Sequence, residues 1–424
     1  MNLMSSEFEQ NLEKYAEVIV KVGLNLQPGQ RLLIGGPTLS NDGTPLEFAP
    51  LVRLIAKEAY QIGARLVEVM WGDDQLRLIR FQHAPRDTFE EYPKWRIDAE
   101  VKFDEAGDAD LCIISSDPEL LREQDPQLIT KFQQTFFKHI KPIGDLISKN
   151  AMNWLGATGA TDGWANKVFP TVPKKSRKAK LWDSIFEICR VKEKDPISAW
   201  RDHINQLGKR KDYLNGKKYN ELKLIAPGTD LTIGLPKAHK WGGGAMTTQN
   251  GIKFTPNMPT EEIFTIPHKD KTEGIVSSTR PLYYGGATIE DFRLKFSEGR
   301  IIEVKAKQGE EFLLKTLETD NGARYLGEIA LVPHSSPISQ SGLIFYNILI
   351  DENASCHIAF GRGRKFCLEN GENMADEEFI AAGGNDSLIH IDFMIGSGEI
   401  DVDGILENGT SEPVMRNGEW AFEV

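Results

Sequence analysis

The chain has 424 residues, of which 40% are hydrophobic and 26% charged, enough apolar material for two or three packed domains and too much for a disordered protein. Its formal net charge is −12, and the densest basic stretch, Lys209-Arg210-Lys211, meets Asp212 at once, which argues against nucleic acid as a partner. Cys112, Cys189, Cys356 and Cys367 show neither CxxC spacing nor a disulfide framework, and no apolar run approaches the ~20 residues of a membrane span. With no basic-apolar-small leader pattern at the start, a cytoplasmic chain with reduced, buried thiols is expected.

The first element is an amphipathic helix. Ser6 and Glu9 have capping-box spacing, Phe8, Leu12, Tyr15, Ala16 and Ile19 share one face, and Gly23 is expected to end it. A strand follows at Arg31 to Ile34. Pro45 is expected to open a second helix that carries Leu51, Ile55 and Ala59 inward and closes near Gly63. Strands are predicted at Leu66 to Trp71 and Asp110 to Ser115. This alternation of strand and helix predicts an α/β N-terminal domain with a mostly parallel sheet. Gly35-Gly36-Pro37 lacks both GxGxxG spacing and a GKS/T ending, so it reads as a plain turn.

The pattern changes at Lys209, where a charged stretch through Lys218 reads as a linker. Residues 1–215 are thus assigned to the α/β domain and 216–424 to a second domain. There, hairpins are predicted at Leu222 to Ile225 with Asp230 to Ile233, and at Phe292 to Phe296 with Ile301 to Lys305. Short helices at Glu310 to Leu317 and Asp376 to Ala382 interrupt the strands, giving an α+β fold with antiparallel strands. Gly242-Gly243-Gly244 reads either as a flexible loop beside a site or as a linker.

Acids and histidines concentrate in this second domain, each beside a strand-like run. His390 and Asp392 stand at i and i+2, so on a strand they face the same side and can converge on one ion. Their neighbours Ile389, Ile391 and Phe393 are apolar, and a buried aspartate needs a partner to offset a cost of several kcal/mol. The same spacing would also serve a His–Asp pair stapling a core strand. Glu262 and Glu328 each open an apolar run, as a ligand or an exposed strand end would. His357, between Cys356 and Ile358, suits a ligand or a satisfied core histidine. Together these oxygen and nitrogen donors suffice for two metal ions.

Longer motifs carry a resemblance. Asn257-Met-Pro-Thr-Glu-Glu-Ile-Phe-Thr, Leu326-Gly-Glu-Ile-Ala-Leu-Val, the run from Phe345 to His357, and His390-Ile-Asp-Phe-Met-Ile-Gly-Ser resemble the thermophilic metallo-aminopeptidase family of aminopeptidases T and S and PepS. Tyr15 to Gln30 and Trp164 to Pro170 resemble it too, so the similarity spans nearly the whole chain. By that resemblance Glu262, Glu328, His357, His390 and Asp392 fall on metal-site positions for two divalent ions, zinc, cobalt or manganese. Glu328 is expected to bridge the ions, with Glu261 or Glu262 shuttling a proton. The resemblance further implies a homodimer that hydrolyses N-terminal residues from short peptides. One departure stands out: the family places a tyrosine seven residues after the first histidine, and here the position is Arg364. A guanidinium can stabilise an oxyanion but repels a cationic substrate amine.

Two other functions remain open at this point. Two histidines and one carboxylate, His357, His390 and Asp392, are the set of a non-haem iron enzyme, and a ring-cleaving dioxygenase has a similar fold. A catalytically impaired, peptide- or metal-binding homologue is the other, supported by Arg364.

Overall fold

A computed structural model describes residues 6–37, 43–115, 117–285 and 287–424. The chain divides into two compact units, Met1–Ile204 with Ala245–Pro259, and Asn205–Gly244 with Thr260–Val424. The charged stretch read as a linker is helical: it forms the second half of the helix Pro196–Lys217, within which the division falls. Alternating Leu207 and Leu214 with charged residues gives that helix a buried side despite its polarity.

The first unit is α/β, as expected. Its strands β1 (Arg31–Ile34), β2 (Leu66–Val69), β3 (Ala109–Ile113) and β4 (Trp154–Ala157) form a parallel sheet in the order β2-β1-β3-β4. Helix α1 (Ser6–Val18) continues as a π-helical turn from Ile19 to Gly23, and Leu12, Tyr15, Ala16 and Ile19 are buried. The Ser6 side chain of the expected capping box lies outside the described residues. Helix α2 (Ala49–Ile62) packs against α1 and ends at Gly63, whose φ of 106° only glycine adopts without strain. It begins later than Pro45, which instead precedes a 3₁₀ turn, Leu46–Phe48; Pro50 sits in the first turn of α2.

Antiparallel strands dominate the second unit. A nine-stranded sheet contains both predicted hairpins, Glu221–Ala226 with Thr229–Gly234 and Ala287–Ser297 with Arg300–Gln308. In the latter, Glu298 and Gly299 both have positive φ, 49° and 76°, the geometry of a two-residue hairpin turn that matches strand twist. The predicted short helices occur at Glu310–Thr316 and Asp376–Ala381.

A five-stranded sheet completes the unit: β5 (Gly242–Gly243), β6 (Ile263–Thr265), β7 (Leu326–Leu331), β8 (His357–Gly361) and β9 (His390–Met394). Their order is β9-β8-β7-β6-β5, each neighbour antiparallel. Every residue of β6, β7 and β8 is buried. The glycine run is therefore an edge strand rather than a loop. A side chain at Gly243 would come within 2.5 Å of the Glu262 carbonyl oxygen, so the close approach of β5 requires glycine there.

Because Gly299 is left-handed and backs onto the Lys269 carbonyl, Gly299→Ala is expected to destabilise the chain by about 1–3 kcal/mol. Urea unfolding checks this; an unchanged midpoint would show that the turn relaxes without cost.

Candidate metal centre

Register decides what faces what in the five-stranded sheet. Glu328 of β7 pairs with Ala359 of β8, which pairs with Asp392 of β9. Residues directly opposite one another project from the same side of a sheet, as do residues two apart along a strand. His357 lies two before Ala359, His390 two before Asp392, and Glu262 two before Phe264, which pairs with Ala330 beside His357. All five predicted ligands therefore rise from one face. Between Glu328 and Asp392 in that register stands Ala359, a small residue whose replacement by a larger one would crowd the donors.

The side chains converge as two overlapping trios. Donor atoms of Glu262, Glu328 and His357 lie within 4.8 Å of one another, as do those of Glu328, His390 and Asp392. His357 Nε2 is 3.1 Å from Glu262 Oε2 and 3.7 Å from Glu328 Oε1. His390 Nε2 is 3.6 Å from Glu328 Oε2 and 3.4 Å from Asp392 Oδ2. The two oxygens of Glu328 thus face different histidines.

Backbone carbonyls set the histidine tautomers. His357 Nδ1 donates to Ser355 O at 3.2 Å and His390 Nδ1 to Arg362 O at 2.6 Å. A carbonyl can only accept, so each neutral imidazole turns an Nε2 lone pair into the cluster, as a metal ligand must. His357 Nε2 and Asp392 Oδ1 are buried and have no hydrogen-bond partner of good geometry. Buried lone pairs facing carboxylates need a proton or a cation, and the donor set of imidazole and carboxylate suits divalent zinc, cobalt or manganese.

Electrostatics tell the same story. Burial pushes the Glu262 carboxyl up, against the His357 imidazole that lowers it. Burial also lowers His357, but Glu262 and Glu328 outweigh it and raise this imidazole well above its usual range. Asp392 is raised by burial, yet His390 dominates and holds it at about 2. In the metal-free chain, protons on such histidines balance charge that a cation would otherwise balance.

The remaining predicted residues are placed differently. Glu261 is buried, and its backbone N–H donates to Asn353 Oδ1 at 2.7 Å. It belongs to neither trio; its charge acts on Arg210. Arg364 is half-buried just after β8, and its positive charge lowers both His390 and Asp392. Sequence reasoning passed over Glu352. It opens the 3₁₀ turn Glu352–Ala354, which packs against β9. Burial raises its carboxyl well above the usual range, helped by Asp392, Glu262 and Glu328. Its position five residues before His357, in an acidic stretch that should have been solvent-exposed, was the available signal.

Comparison with known proteins identifies the family. The sequence pattern of the thermophilic metalloprotease family (M29) matches residues 8–420. The chain belongs to that family and is a metalloprotease by class. More particularly, it is 46% identical over 419 residues to aminopeptidase 2 of Geobacillus stearothermophilus, covering 99% of this chain and all of that one. It is 44% identical to aminopeptidase AmpS of Bacillus subtilis (strain 168), covering 98% of this chain and 99% of the relative. The structure of wild-type AmpT from Thermus thermophilus superposes with a TM-score of 0.89 at 41% identity, over 98% of this chain and 100% of that one.

Two outcomes follow. Ala359→Leu is expected to cut metal content at least tenfold while the folded spectrum is retained, as read by metal analysis and circular dichroism. Divalent-ion affinity is expected to rise from about pH 6 to about pH 8, because binding must displace protons from His357 and Glu262. A flat affinity profile across that interval would show that those groups are not ligands.

Proposed function

We propose that the chain is an aminopeptidase that releases N-terminal residues from short peptides, using two divalent ions held by Glu262, Glu328, His357, His390 and Asp392. The observation that carries this reading is the orientation of Glu328. One oxygen points to the His357 trio and the other to the His390 trio, the arrangement of a bridging carboxylate. Aminopeptidase names among close full-length relatives support the exopeptidase reading.

Bound at these trios, divalent ions would polarise the scissile carbonyl and bring the pKa of a water from ~15.7 towards ~7. The chain's own groups do the rest. Glu262 and His357 hold one position, His390 and Asp392 the other, and Glu328 keeps the two in register. Glu352, buried against the cluster, is the carboxylate placed to take a proton from the attacking water and return it to the leaving amine. What favours it over Glu261 is that the charges of Asp392, Glu262 and Glu328 act on Glu352, whereas Glu261 belongs to neither trio. Arg364 lies beside His390 and Asp392, where its charge can stabilise an oxyanion as it develops. Buried carboxylates beyond those needed as ligands offer a site for the substrate's free ammonium, which favours removal of the terminal residue.

The non-haem iron alternative is not favoured. It uses His357, His390 and Asp392 and leaves Glu262 and Glu328 buried without a function, and the family match is to metalloproteases. Zinc, cobalt or manganese as the bound ion, a homodimeric assembly and a cytoplasmic setting are parts of the proposal supported by the sequence resemblance. No helix among the described residues is long and apolar enough to cross a membrane.

Glu328→Gln is expected to abolish turnover with the fold intact; near-normal release of N-terminal residues would rule out the bridging role. Glu352→Gln and Arg364→Ala are each expected to lower kcat by about 10²-fold or more. Retained metal content in both variants, checked by elemental analysis, separates these roles from ligation. A Glu261→Gln effect larger than that of Glu352→Gln would return the proton-transfer role to Glu261.

A further inference from the structure

The first unit carries a cleft that the metal centre does not use. It has a volume of about 400 Å³, within the roughly 300–1,000 Å³ of small-molecule sites. Its walls come from Trp71, from Leu76, Arg77 and Arg80 on the helix Asp74–His83, from Arg96 on the helix Lys94–Glu105, and from Phe132. Part of the lining is apolar and open to solvent: Trp71 is 40% exposed and Leu76 65%. Three guanidinium groups also line it.

Those cations are unevenly compensated. Arg77 Nη2 pairs with Asp74 Oδ1 at 3.0 Å. Arg80 donates to the carbonyls of Thr88 and Glu91, at 3.0 and 3.2 Å, and lies against the rings of Phe89 and Phe132. Carbonyls and rings hold its position without cancelling its charge. Arg96 has no carboxylate partner among the described residues, and its Nε is buried without an acceptor. Asp73 also lines the cleft, its side chain occupied in capping the helix through Gln75 N–H at 2.8 Å. Among the described residues, three arginines therefore meet two aspartates, a surplus of one positive charge on a chain whose net charge is −12. Leaving a partly buried guanidinium unpaired is unfavourable, and an anion would offset it.

We propose that this cleft binds a small carboxylate carrying one flat or branched apolar group, the chemistry of an amino acid or the C-terminal end of a short peptide. The single surplus charge selects a mono-anion over a phosphate dianion. Trp71, Leu76 and Phe132 supply the surface for the apolar group, and Arg96 the charge-assisted hydrogen bonds. The site is separate from the metal centre in composition, and the proposal stands whether or not the aminopeptidase reading does.

The test is calorimetric titration of the full-length, metal-loaded protein with N-acetyl-phenylalanine and with its amide. Acetylation removes the free amine that an aminopeptidase centre would engage, and the amide removes only the charge. The acid is expected to bind at least tenfold more tightly than the amide. Arg96→Gln should erase that difference. The solvent-exposed change Leu76→Asp, which cannot disturb a core, should weaken the acid at least fivefold. Glu328→Gln should leave binding unchanged. Equal affinities for acid and amide would overturn the proposal. So would binding lost in Glu328→Gln but kept in Arg96→Gln, which would place the anion at the metal centre. Tighter binding of adenosine monophosphate than of the acid would overturn the choice of a carboxylate.

Discussion

The burial of Glu328 between two histidines is the constraint on which the second unit depends. A carboxylate in the interior costs several kcal/mol unless charge or hydrogen bonds offset it. Besides the histidines the cluster gathers more carboxylates, Glu262, Asp392 and Glu352, so the histidines alone cannot balance the charge. Protons can do so at low pH and divalent cations near neutrality, and this competition ties metal binding to protonation. Stability and activity of this unit therefore share one electrostatic cause.

Sheet geometry makes such a concentration of charge possible. In a buried antiparallel sheet, register fixes the face of every side chain, and a slip of one residue would turn the donors away. The row Glu328, Ala359, Asp392 sets that register across three strands. Ala359 is as important as its neighbours, since it stands in the register row between Glu328 and Asp392. Beneath the face, Ile329, Ile358, Ile391 and Phe393 are almost wholly buried, so the strands cannot shift without opening the core. Fixing each Nδ1 on a backbone carbonyl removes the last freedom of the histidines.

Arg364 and the cleft around Arg96 show positive charge placed sparingly on an acidic chain. Arg364 acts on the His390 and Asp392 side of the cluster, where its charge lowers both groups. Arg96 stands in the other unit, without a carboxylate partner among the described residues. Both differ from the many surface ion pairs, which are exposed and contribute little.

Local pattern was enough for much of the fold. Capping residues, hairpin turns such as Glu298-Gly299, and apolar periodicity in α1 and α2 act through neighbours in sequence, so strands and helices were legible within a few residues. The i, i+2 spacing of His390 and Asp392 was legible for the same reason. What the sequence by itself determined was the class of each half and a set of donors able to bind metal. Only tertiary structure decided that Glu262, Glu328 and His357 join them, because their convergence depends on strand order and register between segments far apart in the chain. It also decided that Lys209 to Lys217 is helix, that Gly242-Gly243 is an edge strand, and that Glu352 is buried within electrostatic reach of the cluster. Each of these turns on burial against distant residues, which no local spacing encodes.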